Sequence, residues 1–155
     1  MGRIIGNRET PLPEGAMISI TRVEKLSFFR YIVNSILNRI IMKSMQHHPD
    51  LLFAEITGRR QGGVSQTVTV WRAPNALAPF VKRGSHGVAK KKFVWVFFGG
   101  EVDAYFLTRR ANGVVPDAGE AERLVKQDGR YYKGGKLVRQ AAKPSGSTMS
   151  RRPRP

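Results

Sequence analysis

Cysteine is absent from the chain, so it can form no disulfide, carries no thiolate nucleophile and offers no sulfur ligand to a metal. A cysteine-free chain fits a reducing compartment, and the cytoplasm is the expected location. Histidine is scarce: imidazole chemistry would have to come from His47, His48 or His86. Acid is scarce as well, with 11 Asp and Glu against 27 Lys and Arg. No pair of carboxylates stands at a useful catalytic spacing; Glu101 and Asp103 share a strand face and are expected to be exposed. Long uncharged apolar runs are also missing. Residues 28–45 form the most apolar stretch, but Arg30, Asn34, Asn38, Arg39 and Lys43 interrupt it. A spanning helix needs about 20 nearly uncharged residues, so no transmembrane segment is expected, though attachment at a membrane interface stays open. The first 17 residues lack the apolar core of a secretory signal. Phosphate-loop chemistry is excluded too, because Gly58–Gly63 is not followed by Lys-Ser/Thr. His47-His48 with Asp50 has no further ligands in view, and adjacent histidines point apart, so no metal site is expected.

What is present is a basic, foldable chain. Hydrophobic residues make up 41% of it, enough for one core, and the formal net charge is +16. Seven basic residues and no acid lie between Lys133 and Pro155, which leaves nine of the sixteen charges to the rest of the chain. Such a charge attracts polyanions without choosing among them, and it also serves solubility.

Residues 65–86 organise the pattern. Val68, Val70 and Arg72 alternate with Thr67, Thr69 and Trp71, as the two faces of a strand do. The chain then turns at Ala73-Pro74 into a short helix with Leu77, Phe80 and Val81, and ends on the corner Gly84-Ser85-His86. Upstream, Met17–Val23 reads as a strand. Ser27 then caps a helix whose Phe29, Ile32, Val33, Ile36, Leu37, Ile40 and Ile41 build one wide apolar stripe, with Tyr31, Asn34, Ser35, Asn38 and Arg39 off it. Leu51–Arg59 reads as a strand joined to the next by Gly-rich turn chemistry. Phe93–Phe98 and Glu101–Arg109 read as further strands, and Pro116–Lys126 as a short helix capped by Asp117. Residues 129–139 show little periodicity.

The expected organisation is a flexible arm over 1–15, a domain over 16–110, a partly ordered extension over 111–142 and a disordered basic tail over 143–155. The expected fold is α+β, a ferredoxin-like β-α-β-β-α-β sandwich. Strands such as Leu51–Ile56 are apolar on both faces, which predicts that a second copy covers the open face as a homodimer.

Ser19-Ile20-Thr21-Arg22, Thr69-Val70-Trp71, Ala76-Leu77-Ala78-Pro79-Phe80, Gly84-Ser85-His86 and Trp95 together resemble the dimeric α/β-barrel superfamily. Within it they are similar to antibiotic-biosynthesis-monooxygenase-like proteins, near the spheroidene monooxygenase branch. The resemblance covers roughly residues 16–110. It departs at Arg72, where relatives often carry an acid, and in the longer basic segment after Phe98, which puts a shared substrate in doubt. It implies a pocket between sheet and helices for a hydrophobic or anionic organic molecule or a haem. In cofactor-independent relatives the substrate itself supplies the electrons to oxygen. On that model His86 is the catalytic acid/base or axial ligand, Trp71 and Trp95 are walls, and Arg72 and Arg22 contact an anion. Each has a plainer alternative: His86 as a helix cap, the tryptophans as core, the arginines as solvated strand ends. Two other functions stay open, a polyanion- or nucleic-acid-binding protein working through the basic tail and a non-catalytic structural dimer.

Overall fold

The computed structural model describes residues 2–83, 96 and 99–143. Among these the chain forms β1 (Arg3–Ile5), β2 (Met17–Glu24), α1 (Phe28–Met45), β3 (Leu51–Arg59), β4 (Val64–Trp71), α2 (Pro74–Arg83), β5 (Asp103–Arg110), α3 (Ala118–Asp128), β6 (Arg130–Lys133) and β7 (Lys136–Arg139). The strands make one sheet in the order β1-β3-β4-β2-β5-β6-β7, antiparallel at every junction. Its middle four, β3-β4-β2-β5, have the α+β arrangement of a ferredoxin-like sandwich.

Several expectations change. The arm over 1–15 is not without structure, because Arg3–Ile5 pairs with Ala54–Ile56 and extends the β3 edge. The weakly periodic segment 129–139 forms a hairpin that extends the other edge, where exposed main-chain pairing rather than side-chain alternation holds it. The fourth core strand is Asp103–Arg110. Of the run Phe93–Phe98, expected to be a strand, only Val96 lies inside the described residues, and it is helical and buried. Asp103, expected to be exposed, is buried.

Register assigns every side chain to one of two faces. Ile18, Ile20, Arg22 and Glu24 of β2 align with Val70, Val68 and Gln66 of β4 and with Arg109, Leu107, Tyr105 and Asp103 of β5. Ala121, Leu124 and Val125 of α3 are buried in one cluster with Ile18, Ile20, Phe53, Val68, Val70 and Leu107. Asp117 caps α3, its carboxylate accepting from the Glu120 amide at 2.8 Å. The chain's own α3 thus packs on the face that was expected to need a second copy.

The opposite face carries α1 and α2. Ser27 caps α1 as expected, its hydroxyl accepting from the Arg30 amide. The stripe does not face as expected. Asn34, Leu37, Met42 and Met45 are the buried residues of α1, while Phe28, Phe29, Ile32, Ile36 and Ile40 are exposed. The helix is apolar on most of its circumference, so apolar spacing alone could not orient it.

Candidate binding groove on the helix face

The helix-side residues of the two central strands are Met17, Ser19, Thr21 and Val23 on β2 and Ser65, Thr67, Thr69 and Trp71 on β4. On β5 the same rows hold Ala104, Phe106, Thr108 and Arg110. Hydroxyls therefore occupy the middle of the face: Ser19, Thr21, Thr67, Thr69 and Thr108. They divide two apolar clusters. At one end Trp71 packs with Met42, Met45, Ala54, Ala76 and Leu77. At the other, Val23 packs with Leu26, Val96, Val102 and Ala104.

Burial shows that the helices leave this band partly open. Central strands of a two-layer sandwich are normally its most buried part. Here Met17, Ser19, Thr21 and Thr67 are only half-buried and Thr108 is exposed. Among the described residues the result is a half-open, oxygen-rich band with an apolar cluster at each end.

Hydrogen bonds orient that floor. The fully buried Trp71 donates from Nε1 to Thr69 Oγ1 at 3.0 Å, which turns the Thr69 hydroxyl proton away from the indole. Thr108 Oγ1 donates to Ser19 Oγ at 3.4 Å. The His48 ring stands edge-on to Trp71, with centroids 5.1 Å apart. His48 Nδ1 accepts from the Asp50 amide at 3.2 Å, so in the neutral ring the proton is on Nε2. On the roof, Asn38 Nδ2 donates to Ser65 Oγ at 3.2 Å. One turn earlier Asn34 is 2% exposed, and its Nδ2 has no acceptor among the described residues. Such an orphaned buried donor costs about 1–3 kcal/mol. Together these groups donate and accept hydrogen bonds at the edge of an apolar space; the floor itself supplies no strong base.

Of the sequence-derived site residues, the three that are described, Trp71, Arg72 and Arg22, do not come together. His86 and Trp95 lie outside the described residues. Trp71 faces the groove floor. Arg72 lies beyond the end of β4, exposed, with its amide donating to Asp50 O at 2.9 Å and its Nε 3.8 Å from the Asp50 carboxylate. Arg22 projects from the opposite face to Trp71. It is 5% exposed, and each guanidinium nitrogen is engaged: Nε donates to Glu24 at 2.6 Å, Nη1 to Gln66 at 3.0 Å, and Nη2 pairs with Glu122 at 2.9 Å. Lys126 Nζ closes a ring by reaching Glu24 at 2.8 Å and Glu122 at 3.0 Å. Burial pushes the Glu24 carboxyl up, but hydrogen bonds from Lys126 and Arg22 outweigh it and leave its pKa below the ordinary value. Desolvation likewise opposes the Lys126 charge, and its bonds to Glu24 and Glu122 more than restore it, so its pKa is raised. Beside the ring is a cleft of about 290 Å³ lined by Arg22, Thr57, Gly58, Arg59, Gln66, Ala118, Gly119 and Glu122. Its buried cation is already satisfied by protein groups.

The hydroxyl floor and Asn34 are what residue-by-residue reading left out. The signal was available: Ser19 and Thr21 alternate with Ile18 and Ile20, as Thr67 and Thr69 alternate with Val68 and Val70. An alcohol carries no charge and does not titrate near neutral pH, so its type alone does not mark it as functional. Among the described residues no group of three or more metal-ligating side chains occurs, and no helix is long and apolar enough to cross a membrane.

No protein-family model and no curated protein matches the chain. Solved structures resemble it, two of them as follows. A proposed monooxygenase of Fusobacterium nucleatum is 9% identical with a TM-score of 0.51; the match covers 72% of this chain and 52% of that one. A proposed monooxygenase of Lactobacillus acidophilus is 13% identical with a TM-score of 0.47, covering 74% of this chain and 54% of that one. This chain therefore spans about half the length of each. At 9% identity the first likeness shows a shared fold.

Proposed function

We propose that this protein binds a small hydrophobic organic molecule bearing oxygen atoms in the groove between sheet and helices, as a monooxygenase-like protein. One observation carries the reading: the centre of the helix-side face is a half-open band of hydroxyls bounded by apolar clusters, one of them built on Trp71. A central sheet face lined with alcohols is poor for packing a core and good for orienting a ligand's carbonyl or hydroxyl groups. The fold shared with the Fusobacterium nucleatum protein supports the same reading. The finer affiliation with the spheroidene monooxygenase branch rests on the sequence resemblance.

In this reading Trp95 forms a wall, the buried Trp71 backs the band from behind Thr69, and Ser19, Thr67 and Thr108 hold the ligand's oxygens. Asn34 supplies a donor at the Ser65 end, and His86 is the acid/base. If the ligand is oxidised without a cofactor, it must itself give up the electrons that reduce the second oxygen atom to water. Haem finds no axial ligand fixed among the described groove residues: His48 Nδ1 is taken by the Asp50 amide, and His86 lies outside them.

The test is titration with a panel of quinols and aromatic alcohols, read by tryptophan fluorescence and by oxygen uptake. Thr67→Val keeps the side-chain shape and removes the hydroxyl. It should weaken binding roughly tenfold, the loss expected when a buried polar ligand group is left unpaired. Saturable binding unaffected by Thr67→Val and Ser19→Ala would place the ligand elsewhere. Oxygen uptake abolished by His86→Ala with binding intact would assign the acid/base.

A further inference from the structure

Helix α1 presents an apolar stripe to the outside. Phe28, Ile32, Ile36 and Ile40 are spaced by four residues and are 61%, 40%, 52% and 54% exposed. At 1.5 Å per residue the stripe is about 18 Å long. Four large apolar side chains in one line exceed the scattered exposure normal for a protein surface.

The charges around the stripe indicate what covers it. No Asp or Glu occurs in α1. Arg39 and Lys43 lie on the same outer side by helical spacing, are exposed, and make no ion pair among the described residues. At the other end the Arg60 guanidinium lies over the Phe28 ring, 4.8 Å from its centroid. Cations thus stand at both ends of the stripe, on long stems that keep the charge wet while the apolar face is buried. A second copy would bring an identical basic rim, and another net charge of +16, against the first. An anionic lipid surface satisfies both features, taking the apolar side chains below its headgroups and the cations at them.

We propose that the outer face of α1 docks onto anionic membranes, with Phe28, Ile32, Ile36 and Ile40 entering the headgroup–acyl boundary and Arg39, Lys43 and Arg60 meeting lipid phosphates and carboxylates. This does not depend on what the groove binds, since the stripe points away from the sheet.

Co-sedimentation of the full chain with vesicles tests it. Vesicles of phosphatidylcholine with about one-third phosphatidylserine should bind the protein well above pure phosphatidylcholine. Ile36→Asn with Ile40→Asn should reduce that binding at least roughly tenfold while leaving circular dichroism and thermal midpoint unchanged, because both positions are exposed. Arg39→Gln with Lys43→Gln should weaken binding to the anionic vesicles, and it keeps the test decisive if the first variant folds poorly. Anionic-vesicle binding that survives both double variants would mean adsorption through the net charge alone and would overturn the proposal. So would a wild-type oligomer, by analytical ultracentrifugation, that the Ile36/Ile40 variant converts to monomer. Nucleic-acid binding that disappears with the same isoleucines would overturn it equally.

Discussion

Arg22 shows how little residue type says about role. A guanidinium on a strand beside an apolar run is a reasonable anion ligand, and in this chain it is a structural cation buried among Glu24, Gln66 and Glu122. Gln66 in turn donates to Ala118 O at 2.9 Å, which links β4 to the first turn of α3. Arg22→Met should therefore act on stability. It leaves Glu24 and Glu122 with Lys126 alone, and loss of one partner of a buried charge network costs about 3–5 kcal/mol. Urea denaturation measures the loss; a change well below 1 kcal/mol would show that the network is loosely held. Trp71 keeps the side of the sheet that alternation gave it, and gains from Thr69 a partner two residues away on its own strand.

At the scale of elements, α3 is docked by a small apolar patch and by charges, so its hold on the sheet depends on pH. The Glu24 pKa is lowered on balance, the bonds from Lys126 and Arg22 overcoming burial. The Asp103 pKa is lowered in the same way, burial being outweighed by hydrogen bonds from Lys25 and from Tyr131, the latter at 2.7 Å. A carboxyl whose pKa is lower folded than unfolded binds more protons when unfolded. Its contribution is complete above the ordinary carboxylate range and is lost as pH falls through that range to the folded value. On the alkaline side, Tyr131 is raised by its bond to Asp103 and Lys126 is raised by its carboxylates. Those contributions are complete below the unfolded values and fade as pH climbs past them. The thermal midpoint should thus be level through neutral pH and fall at both extremes. The acid limb should shift in Glu24→Gln, and an unshifted limb would assign the acid sensitivity to other carboxylates. Helix α1 makes the complementary point: its ends and cap follow from Ser27 and from the chain before Pro49, yet the face it buries carries Leu37, Met42 and Met45 together with Asn34, and not the longer stripe of isoleucines.

The whole molecule is a sheet covered on both sides by one chain. Val125 of α3 is fully buried against the β2, β4 and β5 side chains. Val125→Asp puts a charge there and should cost about 3–5 kcal/mol, with new binding of a hydrophobic dye as Ile18, Ile20, Val68 and Val70 become wet. Full stability in that variant would mean that α3 does not cover the face. Among the described residues the helix side is the less complete layer, and both the proposed groove and the proposed membrane face belong to it.

The chain's alternating strands, the Ser27 and Asp117 caps and the β-α-β-β-α order are local consequences of side-chain spacing and backbone chemistry, and the sequence by itself determined them. The face of α1 that turns inward, the covering of the second sheet face by α3, the pairing of β1, β6 and β7 at the edges and the separation of Arg22 from Trp71 are not local. They depend on which of several apolar or polar surfaces finds a partner across the sheet. Only the tertiary structure decided them, because burial is settled by total contact and charge pairing over the whole molecule.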